Sequence, residues 1–316
     1  MGRSLTNLRL EVISRLPAAP RRAPPLLFLH GSWHGAWCWA ENFLDYFSAN
    51  GFAAYAVSFR GHGESEGRER LRFTRIRDFV ADVAAVVEML PGPPILIGHS
   101  MGGFVAQKYL EGRSLPGAAL VASAPPGGLL RSFFQLMRSD PVAVLKSTAT
   151  LSLRPVVADI DRASALFFSP SMPREQASQY CARLQDDAYF AYLDCLALDL
   201  VKVARISTPM LVTGGALDTV VRPDLVAATA RAYGVEPVMF ETMAHDMMLE
   251  RDWRKLADAI LAWTETLEGV APQYSSLRNA SAGNEAKSAL RMTVLTLSPE
   301  PAAWPGARAR DSICAR

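Results

Sequence analysis

Cysteine is scarce in this chain of 316 residues, which holds four: Cys38, Cys181, Cys195 and Cys314. No two stand at CxxC spacing, so neither a redox pair nor a zinc site is expected. Four thiols spread over this length also build no disulfide framework. Charge of one sign is equally lacking, since 33 Lys and Arg face 31 Asp and Glu for a formal net charge of +2. The basic excess sits in residues 269–316, which carry six basic and three acidic side chains, so the remainder has no positive surplus. Nucleic acid is therefore not an expected partner. No uncharged apolar run reaches the roughly 18 residues that a membrane-spanning helix needs, and no integral membrane segment is expected. The opening MGRSLTNLRLEVISRL lacks the apolar core of a secretory signal, so the expected location is cytoplasmic.

What is present is an average globular composition, 50% hydrophobic and 20% charged, long enough for one large domain with an insertion. Short β-rich runs alternate with stretches of helical periodicity. The strands expected are Leu26–Leu29, Ala54–Phe59, Pro94–Ile97, Ala118–Ala122, Met210–Thr213 and Pro237–Phe240. Several are continuous apolar runs, as in parallel strands covered on both faces. Helices are expected over Ala40–Asn50, Ile76–Leu90, Gly102–Glu111, Pro223–Tyr233 and Trp253–Leu267. In the second of these, Phe79, Val80, Val83, Val86, Val87 and Leu90 recur at three- and four-residue steps and make one buried face. Such alternation predicts an α/β fold with a doubly wound, mostly parallel sheet.

The alternation stops between about residues 125 and 207. That stretch is helical in pattern and rich in Phe and Tyr, among them Phe133, Phe134, Phe167, Phe168, Tyr180, Tyr189, Phe190 and Tyr192. It is expected to be a helical cap insertion over the sheet edge, with its aromatics forming mainly a small core of their own; ordinary helices of the main layer are the alternative. The domain reading is thus a core of residues 1–124 and 208–268, a cap of 125–207 and a disordered tail of 269–316, rich in Ala, Ser, Pro and Arg.

The strongest chemical signal is Gly98-His99-Ser100-Met101-Gly102. A G-x-S-x-G between a strand and a helix makes a sharp turn that exposes the Ser hydroxyl at a helix N-terminus, where negative charge is stabilised. Serine needs a base, and the base needs an orienting acid. His245 follows the last expected strand, in a loop at the carboxyl edge of the sheet where ligands bind, and is the candidate base. Asp218 follows the strand MLVT and precedes His245 by 27 residues, giving the order Ser100, Asp218, His245. Asp246 is the less suited orienter, because neighbouring side chains diverge. His30-Gly31-Ser32-Trp33 immediately follows the first parallel strand, so the amides of Ser32 and Met101 are candidate oxyanion donors. Trp33 and His99 are candidates for the substrate pocket, while His34 and Arg60-Gly61-His62 are read as loop-fixing groups.

These motifs, HGSWHGAWCW at 30–39, SFRGHGES at 58–65, GHSMGG at 98–103, GGALDTVV at 214–221 and AHDMM at 244–248, resemble the α/β-hydrolase superfamily of serine esterases and lipases over residues 8–268. The first is similar to plant methylesterases and hydroxynitrile lyases, the second to bacterial esterases and monoacylglycerol lipases. The resemblance implies Ser100 as nucleophile, His245 as base, Asp218 as acid, Ser32 and Met101 as oxyanion donors, a helical cap, and neither cofactor nor metal. The function expected is hydrolysis of a carboxylic ester of a small or medium-sized lipophilic substrate through an acyl-enzyme. Thioesterase, lactonase, carbon–carbon hydrolase, perhydrolase and hydroxynitrile lyase chemistry use the same triad and stay open at this point, as does a non-enzymatic ligand sensor. A hydroxynitrile lyase would draw on a cap lysine, for which the insertion offers Lys146 and Lys202.

Overall fold

The structure is a computed structural model that describes residues 8–268 and 292–296. The chain runs through β1 (Leu10–Arg15), β2 (Leu26–Leu29), α1 (Trp37–Ala40), α2 (Phe43–Ala49), β3 (Ala54–Val57), α3 (Ile76–Met89), β4 (Ile95–His99), α4 (Met101–Leu110) and β5 (Gly117–Val121). Five helices follow, α5 (Leu130–Ser139), α6 (Pro141–Thr150), α7 (Ile160–Phe167), α8 (Arg174–Cys181) and α9 (Tyr189–Leu193). The sheet then resumes with β6 (Met210–Gly215), α10 (Pro223–Tyr233), β7 (Pro237–Phe240) and α11 (Trp253–Glu268), and β8 (Met292–Thr296) pairs at its far edge.

The strand order is β7-β6-β5-β4-β2-β3-β1-β8. All neighbours from β7 to β3 are parallel, with Leu29 opposite Gly98 and Ile97 opposite Ala119, while β1 runs antiparallel to β3. The connections lead one way from β2 and the other way from β4, so these adjacent strands form the switch point at which doubly wound sheets open a crevice.

Side-chain alternation divides the core between the two faces of the sheet. Leu26 and Phe28 of β2 join Trp39, Phe43, Phe47, Leu256 and Ile260 beneath α1, α2 and α11. Leu27 and Leu29 join Phe79, Val83, Phe104 and Val105 beneath α3 and α4. Both faces being covered, β4 and β5 are buried throughout.

Three local departures from the sequence reading have physical causes. The expected helix over 40–50 is the shorter α2, preceded by the separate turn of α1 that ends at Ala40, because Asn42 adopts a non-helical backbone (φ −140°, ψ −47°) and restarts the chain at Phe43. Strand β1 carries no apolar run; its buried Glu11 and Ser14 are polar, and Glu11 is satisfied by the Ser58 hydroxyl at 2.6 Å and the Glu64 amide at 3.1 Å. The tail is the third. Met292–Thr296, within the stretch read as disordered, forms β8 parallel to β1 in the register Leu10 opposite Met292 to Ser14 opposite Thr296. Its Thr293, Val294 and Thr296 are β-branched, and β1 pairs with β3 along one edge only, leaving the other for this strand. The rest of that tail lies outside the described residues.

Between β5 and β6 the described elements are all helical. The aromatics of this segment do not form a separate core. Phe167 and Phe168 are buried in the cluster that continues beneath the sheet, Phe133, Tyr189 and Tyr192 line a cavity, and Phe134 is exposed. Arg75 at the start of α3 clamps the buried Asp194 carboxylate just after α9, which also accepts the Ile76 amide at 3.0 Å.

Candidate active site

Strand β4 delivers Ser100 onto a turn with φ +51° and ψ −119°, a left-handed conformation for a residue with a side chain. Such strain persists only where the surroundings over-determine it. Here the Ser100 amide donates to the Val121 carbonyl at 3.1 Å, while its carbonyl accepts from Gly103, Phe104 and Ala124. Gly102 is dictated by close approach, since a Cβ there would lie 2.3 Å from the His30 carbonyl oxygen. Gly31 has the same reason, since its Cβ would lie 2.9 Å from that of Ser100. The loop leaving β2 is thereby packed directly against the turn leaving β4.

His245 follows β7. Its Nδ1 lies 2.7 Å from Asp218 Oδ2 and its Nε2 lies 3.0 Å from Ser100 Oγ. A carboxylate only accepts, so Nδ1 carries the proton and Nε2 is the lone pair that receives the Ser100 hydroxyl. Asp218 is buried and fixed through Oδ1 by the amides of Val220 at 2.7 Å and Val221 at 2.9 Å. The Leu217 amide donates to the Met243 carbonyl, tying the Asp218 loop to the His245 loop. Burial pulls the His245 pKa down, but the charge and hydrogen bond of Asp218, with Asp246 behind it, outweigh burial and raise it above the ordinary imidazole value. Asp218, not Asp246, is the carboxylate bonded to His245. Asp246 instead bonds His34 Nε2 at 3.0 Å.

Ser32 and Met101 meet across the two loops, with Ser32 Oγ 3.6 Å from Met101 Sδ. Among the described residues neither amide donates to a protein acceptor, so both are free for a developing oxyanion at the N-terminus of α4.

The two pocket candidates fare differently. Trp33 lines a cavity of about 210 Å³ beneath α5, α6 and α9, and its indole Nε1 donates to the Leu153 carbonyl at 3.2 Å. His99 does not line it. As the last residue of β4 it turns under the elbow, buried, with Nε2 2.9 Å from the His245 carbonyl. Burial, with His245 next to it, lowers the His99 pKa to about 3, so the ring is neutral and donates through Nε2. The cavity wall holds no charged side chain. It includes Phe167, whose ring stacks 6.1 Å from that of His245, and Thr219 and Val220, which follow Asp218. Ser147 adds a buried hydroxyl with no partner among the described residues. Lys146 and Lys202 are exposed and absent from the wall.

His99, His245 and Asp246 offer ligand atoms within 4.8 Å of one another. Both His245 nitrogens, His99 Nε2 and Asp246 Oδ2 are already spent on protein partners, so this cluster reads as a hydrogen-bond network rather than an ion site. Sequence reasoning named Phe167 only among the aromatics of the insertion and missed Asp187. Asp187 is buried in the insertion, and its Oδ2 accepts the Trp33 amide at 2.6 Å. It stands beside Asp186 in the polar run Arg183-Leu184-Gln185-Asp186-Asp187, where nothing in the local pattern singles it out.

Comparison with known proteins agrees with this architecture. Over 97 residues the chain is 40% identical to protein phosphatase methylesterase 1 of Bos taurus, a match covering 29% of this chain and 25% of that protein. Over 86 residues it is 37% identical to a monoacylglycerol lipase of Mycolicibacterium smegmatis, covering 25% of this chain and 30% of that one. The matches thus span about a quarter of the length of these curated relatives. Among solved structures, BpoC of Mycobacterium tuberculosis, named as a non-heme bromoperoxidase, superposes with a TM-score of 0.66 at 22% identity, over 83% of this chain and 96% of that one. An esterase from Exiguobacterium antarcticum superposes with a TM-score of 0.60 at 18% identity, over 81% and 95% of the two chains. Identities this low carry the fold alone. The model of the alpha/beta hydrolase family matches residues 26–259, from the first parallel strand into the last helix, and the chain belongs to that family.

Proposed function

We propose that this protein is a serine hydrolase that cleaves a carboxylic ester of a small or medium-sized lipophilic substrate. The observation that carries the reading is the continuous hydrogen-bond chain from Ser100 through His245 to Asp218, beside a cavity without charged side chains. In this reading Ser100 Oγ attacks the ester carbonyl while His245 Nε2 takes its proton. The carbonyl π electrons move onto oxygen, held by the Ser32 and Met101 amides. Collapse of the tetrahedral adduct expels the alcohol, which recovers the proton from His245 and leaves an acyl-Ser100 ester. Water then repeats the sequence, His245 taking its proton, and releases the acid and free Ser100.

The helical insertion acts in this reading as the cap, and Trp33, Phe133 and Phe167 form the apolar wall that receives the substrate. The Ser147 hydroxyl supplies one hydrogen bond to a polar substrate atom. The esterase and lipase names among the similar proteins favour ester chemistry. A chain-length series of p-nitrophenyl esters, run on the wild type and on Ser100→Ala, tests the proposal. Turnover that disappears in the variant is expected, with an optimum at acyl lengths that fit the cavity. Turnover surviving in Ser100→Ala, or none with any ester in the wild type, overturns it.

A further inference from the structure

His34 takes no part in the chemistry above, yet each of its ring nitrogens meets an atom that can only accept. Nδ1 lies 2.7 Å from the Ser32 carbonyl oxygen and Nε2 lies 3.0 Å from Asp246 Oδ2. A neutral imidazole has one N–H and satisfies one of these; the second bond needs a second proton shared by the ring and the carboxyl. Imidazole is the stronger base, so that proton resides on Nε2. Asp246 is fully buried and has no Lys or Arg partner among the described residues. Of its other neighbours, His99 is neutral and His245 is paired with Asp218, so His34 supplies the counter-charge. Burial acts against both ions, but Asp246 raises the His34 pKa and His34 holds the Asp246 carboxyl below its usual range. The titratable groups facing His34 are Asp246 and His245 from the loop after β7, His99 from β4 and His30 from the end of β2. Trp37, with Arg183 over its ring, and Phe167 close the remaining sides.

This pair grips the segment that carries a proposed oxyanion donor. The Gly31–Ser32 peptide is held at its oxygen by His30 Nδ1–H at 2.7 Å, since His30 Nε2 is used by the Phe59 amide. The next peptide is held at its oxygen by His34 and at its nitrogen by Asp187. Trp33 has φ +64°, so a bulky residue sits in the left-handed region, and these anchors, with Gln185 on the Trp33 and His34 carbonyls, hold the loop in that shape.

We propose that His34 and Asp246 form a buried imidazolium–carboxylate positioning pair that fixes the Ser32–Trp33 peptide and so aims the Ser32 amide at the oxyanion. The pair links residues 212 positions apart and joins the oxyanion loop to the loop of the base. The proposal rests on the serine hydrolase reading.

Nitrogen-15 NMR of the histidine side chains in the full chain, paired with ester kinetics, tests it. In mildly alkaline solution one histidine is expected to keep protons on both ring nitrogens, a signal absent from His34→Gln and neutralised in Asp246→Asn. In Asp246→Asn, kcat is expected to fall about ten- to a hundred-fold, the scale of a small misplacement of a catalytic group. KM stays within about a factor of two, because the apolar wall is untouched. Fluorophosphonate still labels Ser100. His34→Gln supplies the same kinetic reading if Asp246→Asn does not fold. A neutral His34 in the wild type overturns the pair whatever the activity. An unchanged kcat in the folded variants, or a loss confined to KM, overturns the positioning role. A wild type without ester turnover overturns the hydrolase reading and the positioning role with it, while the NMR signal reports on the ion pair alone.

Discussion

At the scale of single residues, the protonation of His245 governs the proposed chemistry. The base works as a neutral imidazole, so turnover is lost as pH falls through its pKa. Asp218 raises that pKa against the pull of burial, which sets the acid limb of kcat/KM above the ordinary imidazole value of about 6.5. Asp218→Asn removes the charge and the tautomer-fixing acceptor. It is expected to lower kcat by about four orders of magnitude and to move the acid limb downward. A pH profile of residual activity checks this, and an unmoved limb would assign the shift to Asp246 instead. Ser100, Asp218 and His245 were legible in the sequence because each sits in a loop just beyond a strand, and strand ends of a parallel sheet share one edge. The partners of His34 and Trp33 were not legible. Asp246 and Asp187 stand 212 and 154 residues away, and no local pattern pairs residues at such separations. His99, a pocket candidate in the sequence, is instead buried against the His245 carbonyl, a contact that spans 146 residues and so has no local pattern either.

At the scale of elements, helix α3 is pinned to the loop after β3 by an ion pair that its apolar periodicity conceals. Asp82 lies on the buried face of α3 at 3% exposure and accepts from the Arg60 guanidinium at 2.6 and 3.0 Å and from the Arg60 amide at 3.0 Å. Burial pushes the Asp82 carboxyl up despite these bonds, so its charge depends on the partner. Arg60→Ala is expected to cost about 3–5 kcal/mol in denaturant unfolding, because an uncompensated carboxylate remains inside. Replacing both residues with Leu is expected to recover most of that loss. A single variant within about 1 kcal/mol of wild type would contradict this account of the pair. Helical and strand periodicity was readable wherever the buried face is apolar, as in α3, α10 and the central strands. It failed at β1, where Glu11 is buried through bonds to the 58–65 loop, and at the break between α1 and α2, where one backbone conformation decides.

At the scale of the whole molecule, the site residues gather at the switch point between β2 and β4 and along the ends of β6 and β7, with β1 two strands beyond β2 and β8 at the outer edge. A doubly wound, mostly parallel sheet was implied by the alternation of elements; the strand order and the pairing of β8 with β1 were not, because nothing near residue 292 marks its distant partner. This separation predicts that stability and activity respond differently to loss of the C-terminal strand. Deleting residues 272–316 removes β8 and turns β1, now paired on both sides, into an edge strand. Five paired positions are lost, and at roughly 0.2–1 kcal/mol per pair the cost is about 1–5 kcal/mol. For a chain of this size each kcal/mol corresponds to about 2–4 °C in Tm, so a measurable drop is expected. Amide exchange across Leu10–Arg15 is expected to quicken, while ester turnover per folded molecule stays unchanged because no site residue lies on β1, β3 or β8. Unaltered exchange in β1 after the deletion would show that β8 contributes nothing to the edge, and a fall in turnover would show that the two edges of the sheet are coupled.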